Sequence, residues 1–145
     1  GYVRVALTPK EYAAIPERNK AFAGAKASGR AFFADSPETA IDVRIAPREG
    51  DIVVRKVRVG AFSTTDLAEQ LRRRGIDTLI LAGISTSGVV LSTLRDAADH
   101  DYRLFVLADA CADPNATVHD VLVNDVFSRQ ADIISTADLI DLLSV

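Results

Sequence analysis

Residues 77 to 113, DTLILAGISTSGVVLSTLRDAADHDYRLFVLADACAD, constrain the fold more than any other stretch of this chain. Thr78 to Ala82 is a continuous apolar run of the kind that forms a strand covered on both faces. The run breaks at Gly83 and passes through Ser85, Thr86, Ser87 and Gly88. From Val89 the apolar residues Val90, Leu91, Leu94, Ala97 and Ala98 recur at helical spacing, which predicts a helix from about Gly88 to His100. Tyr102 to Leu107 is the next buried strand, leading to Asp109 and the ACADPN loop. A turn from strand to helix presents backbone N–H groups and short hydroxyls at the carboxyl end of a sheet, where open α/β sheets bind ligands.

The flanks extend the alternation. Strands are predicted at Tyr2–Leu7, Asp51–Val57 and Ala131–Ser135. Helices are predicted at Arg18–Ala27, Thr65–Arg74, Thr117–Phe127 and Ala137–Leu143, with Thr64 or Thr65 as the N-cap of the second and Gly75 as its stop. Residues 28 to 50 carry two prolines and two glycines and read mostly as loop. Strands alternating with helices mean an α/β fold: a three-layer, Rossmann-like, mostly parallel sheet with helices on both faces.

Composition removes several classes of function. With 145 residues the chain is long enough for one domain with a core. A net charge of −3 gives no electrostatic reason to expect a nucleic-acid or membrane partner. No apolar run reaches the roughly 18 residues of a membrane span, and a cytoplasmic protein is the expectation. One cysteine excludes an internal disulfide framework and a multi-cysteine zinc site. The Arg72–Arg74 run at a predicted helix end is explained by the helix dipole.

The segments GISTSGVVLSTLRDA (83–97) and DACAD (109–113), preceded by RKVRVGAFSTTDLAEQLRRRGIDTLILAG (55–83), together resemble the isochorismatase-like hydrolases, a superfamily that includes nicotinamidases and other cysteine amidohydrolases. The likeness is dense from about residue 50 to 135, and before that rests on the YVRVAL strand. It implies that Lys56 is the active-site lysine at the end of a strand. It also implies that 83–90 is the loop bearing the nucleophilic cysteine, written G-x-x-T-x-x-C-V in the cysteine hydrolases. Val89 stands in the cysteine position here. Valine has no nucleophile, so a thioester route is closed. True isochorismatases also lack the cysteine. In that branch an aspartate protonates a vinyl ether, water completes the cleavage, and the lysine assists.

That aspartate belongs to the first strand of the family fold, which lies between the strands matching Tyr2–Leu7 and Thr78–Ala82. No such segment exists in this sequence. A parallel sheet without a central strand leaves unpaired backbone groups and an open slot. The expectation is that roughly 40 residues, one strand and its helix, are absent from the front of a single domain spanning 1–145. The rival explanation is a natural truncation in which another chain or a repaired sheet fills the slot.

The remaining candidates carry two readings each. Ser85, Thr86, Ser87 and Gly88 either line the substrate pocket, as in the family, or serve only the turn. In the family this loop holds a non-proline cis peptide beside the threonine. Phe62 aligns with a pocket aromatic but reads equally as core. Cys111 reads as structural, because cysteine is often buried and no histidine is placed beside it. His100 suits a helix end, and His119 has no second ligand one turn on, so no metal and no cofactor are expected. Two functions follow. One is a cysteine-free hydrolase of a small anionic or carbonyl-bearing metabolite. The other is a non-catalytic binding or oligomer-forming module. A homo-oligomer suits both.

Overall fold

A computed structural model describes residues 1–29 and 32–144; Arg30 and Ala31, inside the expected loop, and Val145 lie outside the described residues. The chain divides into two compact units, Gly1–Arg58 and Val59–Val145.

In the first unit, strands β1 (Tyr2–Val5) and β2 (Val53–Lys56) pair in parallel, with Val5 opposite Lys56. Both are shorter than predicted, although Leu7 adds an isolated bridge to Phe33. Successive side chains on β2 alternate between faces, so Val54 and Lys56 are buried while Val53 and Arg55 are exposed. Two helices lie between the strands. The sequence reading missed α1 (Pro9–Ala13), although Thr8-Pro-Lys-Glu11 is a capping box with proline in the first turn. Glu11 returns the Thr8 cap and also forms a two-pronged ion pair with Arg55. Helix α2 (Lys20–Ala27) starts two residues later than expected, because Asn19 caps it. Of the expected loop, Pro37–Thr39 and Val43–Ile45 are single 3-10 turns. Arg4 anchors the first of these by donating to the Thr39 carbonyl at 3.1 Å.

The second unit is a three-stranded parallel ladder in the order β3 (Thr78–Ile84), β4 (Arg103–Ala112), β5 (Asp132–Ile134). Helix α3 (Leu67–Arg73) precedes it and ends at Gly75, whose φ of 63° is the left-handed stop the sequence predicts. By position the N-cap is Asp66, not Thr64 or Thr65. The cap bond itself is nonetheless threonine's, since Thr65 Oγ1 accepts from Leu67 N. Between β3 and β4 a π-type turn, Thr86–Val90, runs into α4 (Leu91–Asp99). Val90, Leu94 and Ala97 form its buried stripe at i, i+4 and i+7. Helix α5 (Ala116–Val121) follows β4 and passes through a π turn to Phe127, which has no exposed surface. Helix α6 (Thr136–Leu143) is capped by Ser135 and Asp138.

Two differences from expectation bear on the site. Strand β4 does not stop at Leu107. Its pairing with β3 breaks after Val106, which faces Leu81, and resumes at Cys111, which faces Gly83, while Leu107 still pairs with Ile134 of β5. The register shift is a β-bulge on β4, a device that commonly re-aims side chains beside functional sites. The second difference is a correction. Strand β3, expected to be covered on both faces, alternates between half-buried and exposed, with Ile80 45% and Ile84 76% accessible. It is an edge of its ladder, paired with β4 and with no other described strand.

Candidate active site

The loop at the carboxyl end of β3 is built by one sharp corner. Gly83 has φ 132°, a conformation that side-chain-bearing residues rarely adopt, and the next peptide but one, Ile84–Ser85, is cis. The backbone then turns on the Ser85 carbonyl, which accepts from Gly88 N at 3.1 Å and from Val90 N at 3.2 Å. A Cβ on Gly88 would stand 2.5 Å from Ser85 Oγ, so any larger residue here would force the Ser85 hydroxyl to move.

Two side chains from the segment after β4 grip the loop. Thr86 has no exposed surface, and its Oγ1 lies 2.8 Å from His119 Nδ1. Asp113 Oδ2 accepts from Ser87 N at 2.8 Å, and its Oδ1 accepts from Asn115 N. Asn115 in turn caps α5 through Val118 N. Hydrogen bonds from the Ser87 hydroxyl and amide hold the Asp113 carboxyl below its usual range. The sequence reading missed both His119 and Asp113 as partners of the loop. The usable signal was Asn115: as N-cap at the carboxyl end of β4, it sets His119 one turn on, beside whatever follows β3.

Asp109, in the bulge of β4, accepts from Thr136 N and Thr136 Oγ1. The Thr136 hydroxyl is the main cause of its lowered pKa. Neither aspartate is a proton donor near neutral pH. Cys111 is buried against Gly83, and burial pushes its thiol up, which is the opposite of an activated nucleophile. Phe62 does not stand at the loop. Its ring packs 5.4 Å from His100 and 6.2 Å from Tyr102, at the amino end of β4. Gly60 lies beside Ser92 and Asp96, and a Cβ on Gly88 would be 3.9 Å from Val59. Residues 59–62 therefore run along α4 away from the loop, and Val59 is their member nearest to it. Val89 is half-buried.

In the first unit, Lys56 is buried at 5% exposure, and its Nζ donates to the Arg58 carbonyl at 2.9 Å. Burial, which disfavours the charged form, lowers its pKa to about 8. Among the described residues, no three His, Cys, Asp or Glu side chains are grouped as metal ligands, and no helix is long and apolar enough to cross a membrane.

The isochorismatase domain matches residues 3–138 of this sequence. The chain belongs to the isochorismatase family. The uncharacterized isochorismatase family protein YecD of Escherichia coli O157:H7 is 41% identical over 95 residues, covering 66% of this chain and 50% of that protein. A maleamate amidohydrolase of Pseudomonas putida is 32% identical over 108 residues, covering 74% of this chain and 51% of the relative. The chain thus spans about half the length of these curated relatives. Among solved structures, an isochorismatase family protein from Burkholderia thailandensis superposes with a TM-score of 0.80 at 27% identity, covering 99% of this chain and 72% of the other. The α/β fold expected for the family, parallel strands flanked by helices, is the fold of this chain.

Proposed function

We propose that this protein is a hydrolase of a small anionic or carbonyl-bearing metabolite, working by acid–base chemistry without a cysteine nucleophile. The observation that carries the reading is a pairing of loss and retention. Val89 occupies the nucleophile's position, while Lys56 is kept buried at the end of β2 with its pKa lowered to about 8. A desolvated ammonium is a strong electrostatic partner for a substrate carboxylate or for negative charge developing on oxygen. Ser85, Gly88 and Val89 are the partly accessible part of the loop and would line the cradle. Ser87, exposed and tied through its amide to Asp113, would line it with them, and the buried Thr86 hydroxyl would support it from behind.

The general acid must come from elsewhere, because Asp109 and Asp113 are both held ionised. We place it on a strand that pairs with the open edge of β3. Ile80 and Ile84, exposed on one face of β3, support that placement, since the helix that accompanies such a strand would cover that face. Homo-oligomer formation and a cytoplasmic setting belong to the same proposal. Exposed Ile140, Leu142 and Leu143 on α6 favour the first, and the free thiol of Cys111 suits the second. The test is turnover of maleamate, followed by ammonia release, and of isochorismate, followed by pyruvate release. Lys56→Ala should abolish whichever activity the protein has while leaving its circular dichroism unchanged. Equal turnover by wild type and Lys56→Ala would overturn the role of Lys56. Absence of turnover of both would favour a non-catalytic binding module, the reading that Val89 also fits.

A further inference from the structure

We propose that His119 is a positioning residue for the 84–88 loop, acting through the hydroxyl of Thr86. The inference starts from burial. Thr86 has no exposed surface, so its hydroxyl cannot turn to water and needs a partner inside the fold. That partner is His119 Nδ1 at 2.8 Å. The bond closes in either direction, because a hydroxyl both donates and accepts.

Thr86 lies at the centre of the corner: Ser85 before it turns the backbone, and Gly88 after it sits against Ser85 Oγ. The accessible members of the loop, Ser85, Ser87, Gly88 and Val89, are therefore oriented by a residue that is itself inaccessible. His119 is well placed to hold it. It stands on α5, whose N-cap Asn115 is tied to Asp113, and Asp113 holds the Ser87 amide. The segment 113–119 thus grips two consecutive loop residues, one by its side chain and one by its backbone. Thr86 and His119 are 33 residues apart in sequence, so only the tertiary fold makes the pair. His119 does not touch a substrate in this scheme. It fixes the geometry of the groups that do, and misplacement of such groups lowers turnover more than it lowers binding.

The kinetic arm rests on the proposed function, whereas the exchange arm does not. Wild type, His119→Ala and His119→Asn are compared, the asparagine amide being able to reach the Thr86 hydroxyl as Nδ1 does. Hydrogen–deuterium exchange is followed in peptides covering 83–90, with β5 peptides as the control for intact fold. In parallel, kcat and KM are measured on whichever of maleamate and isochorismate the wild type turns over. His119→Ala should speed exchange of the loop about tenfold, the effect of losing one buried hydrogen bond, with β5 unchanged. It should lower kcat by about tenfold and shift KM by less than about threefold, and His119→Asn should restore most of both. If His119→Ala does not fold, Thr86→Val removes the same bond from the other side and should raise loop exchange in the same way. Unchanged loop exchange in the variants overturns the proposal whatever the kinetics. Faster exchange with unchanged kcat overturns the link to catalysis. If neither substrate is turned over, the hydrolase reading fails on its own, and the exchange data still decide whether His119 holds the loop.

Discussion

Replacing Lys56 with methionine should make this protein more stable and less useful. Lys56 is buried, and burial lowers its pKa from 10.5 to about 8. At about 1.4 kcal/mol per pH unit, that difference amounts to roughly 3 kcal/mol against the charged form in the folded state. Between about pH 8 and 10.5 the unfolded chain holds the proton and the folded chain does not. Stability of the wild type therefore rises with pH across that window, and below pH 8 the whole penalty is present. Lys56→Met keeps the length of the side chain and removes the charge. It gives up the contacts of Nζ, among them the hydrogen bond to the Arg58 carbonyl, itself worth about 1 kcal/mol. The expected net gain is up to about 2 kcal/mol at pH 7, a rise in Tm of up to ~4–8 °C. It passes through zero at about pH 10 and reverses above it, where the penalty is gone and only the lost bonding remains. Thermal melts of both proteins from pH 6 to 11 read this directly, since every other titrating group is common to the pair. A difference independent of pH would refute the assignment of Lys56 as a desolvated cation. Any activity of the wild type should fall as pH rises through about 8, where the ammonium loses its proton.

Cys111→Ala should leave the rate of any hydrolysis unchanged while costing on the order of 1–2 kcal/mol of stability through lost packing, measured by urea denaturation and steady-state kinetics. A dead Cys111→Ala enzyme would return the thiol to the chemistry. The Arg55 guanidinium, with the Thr8 cap, holds the Glu11 carboxyl at about 2 instead of 4.5. Its stabilising contribution is complete above pH 4.5 and is lost as pH falls towards 2. Glu11→Gln, which keeps the capping bond but not the charge, should flatten the dependence of Tm on pH between 5 and 3. An unchanged slope would mean that the pair contributes nothing.

The legible part of the site was the part encoded locally. Gly83, the short hydroxyl run and Gly88 announced a corner after a strand. What could not be read was who holds the corner. Asp113 is 26 residues from Ser87, and His119 is 33 from Thr86. Phe62 shows the same limit: its alignment suggested a pocket, and the course of residues 59–62 along α4 carries its ring to the opposite end of β4. Helix α1 was a failure of another kind, because its capping box was present in the sequence and was passed over within a proline-containing stretch.

By itself the sequence determined the alternation of strands and helices and the loop between β3 and α4. Periodicity, caps and side-chain identity are properties of neighbouring residues, so these features are written where they occur. Tertiary structure alone decided the exposure of β3, the bulge that brings Cys111 back to Gly83, the grip on Thr86 and Ser87, and the lowered pKa of Lys56. Each of these depends on which distant segments meet and on where water is excluded, and neither is a property of any short stretch of chain.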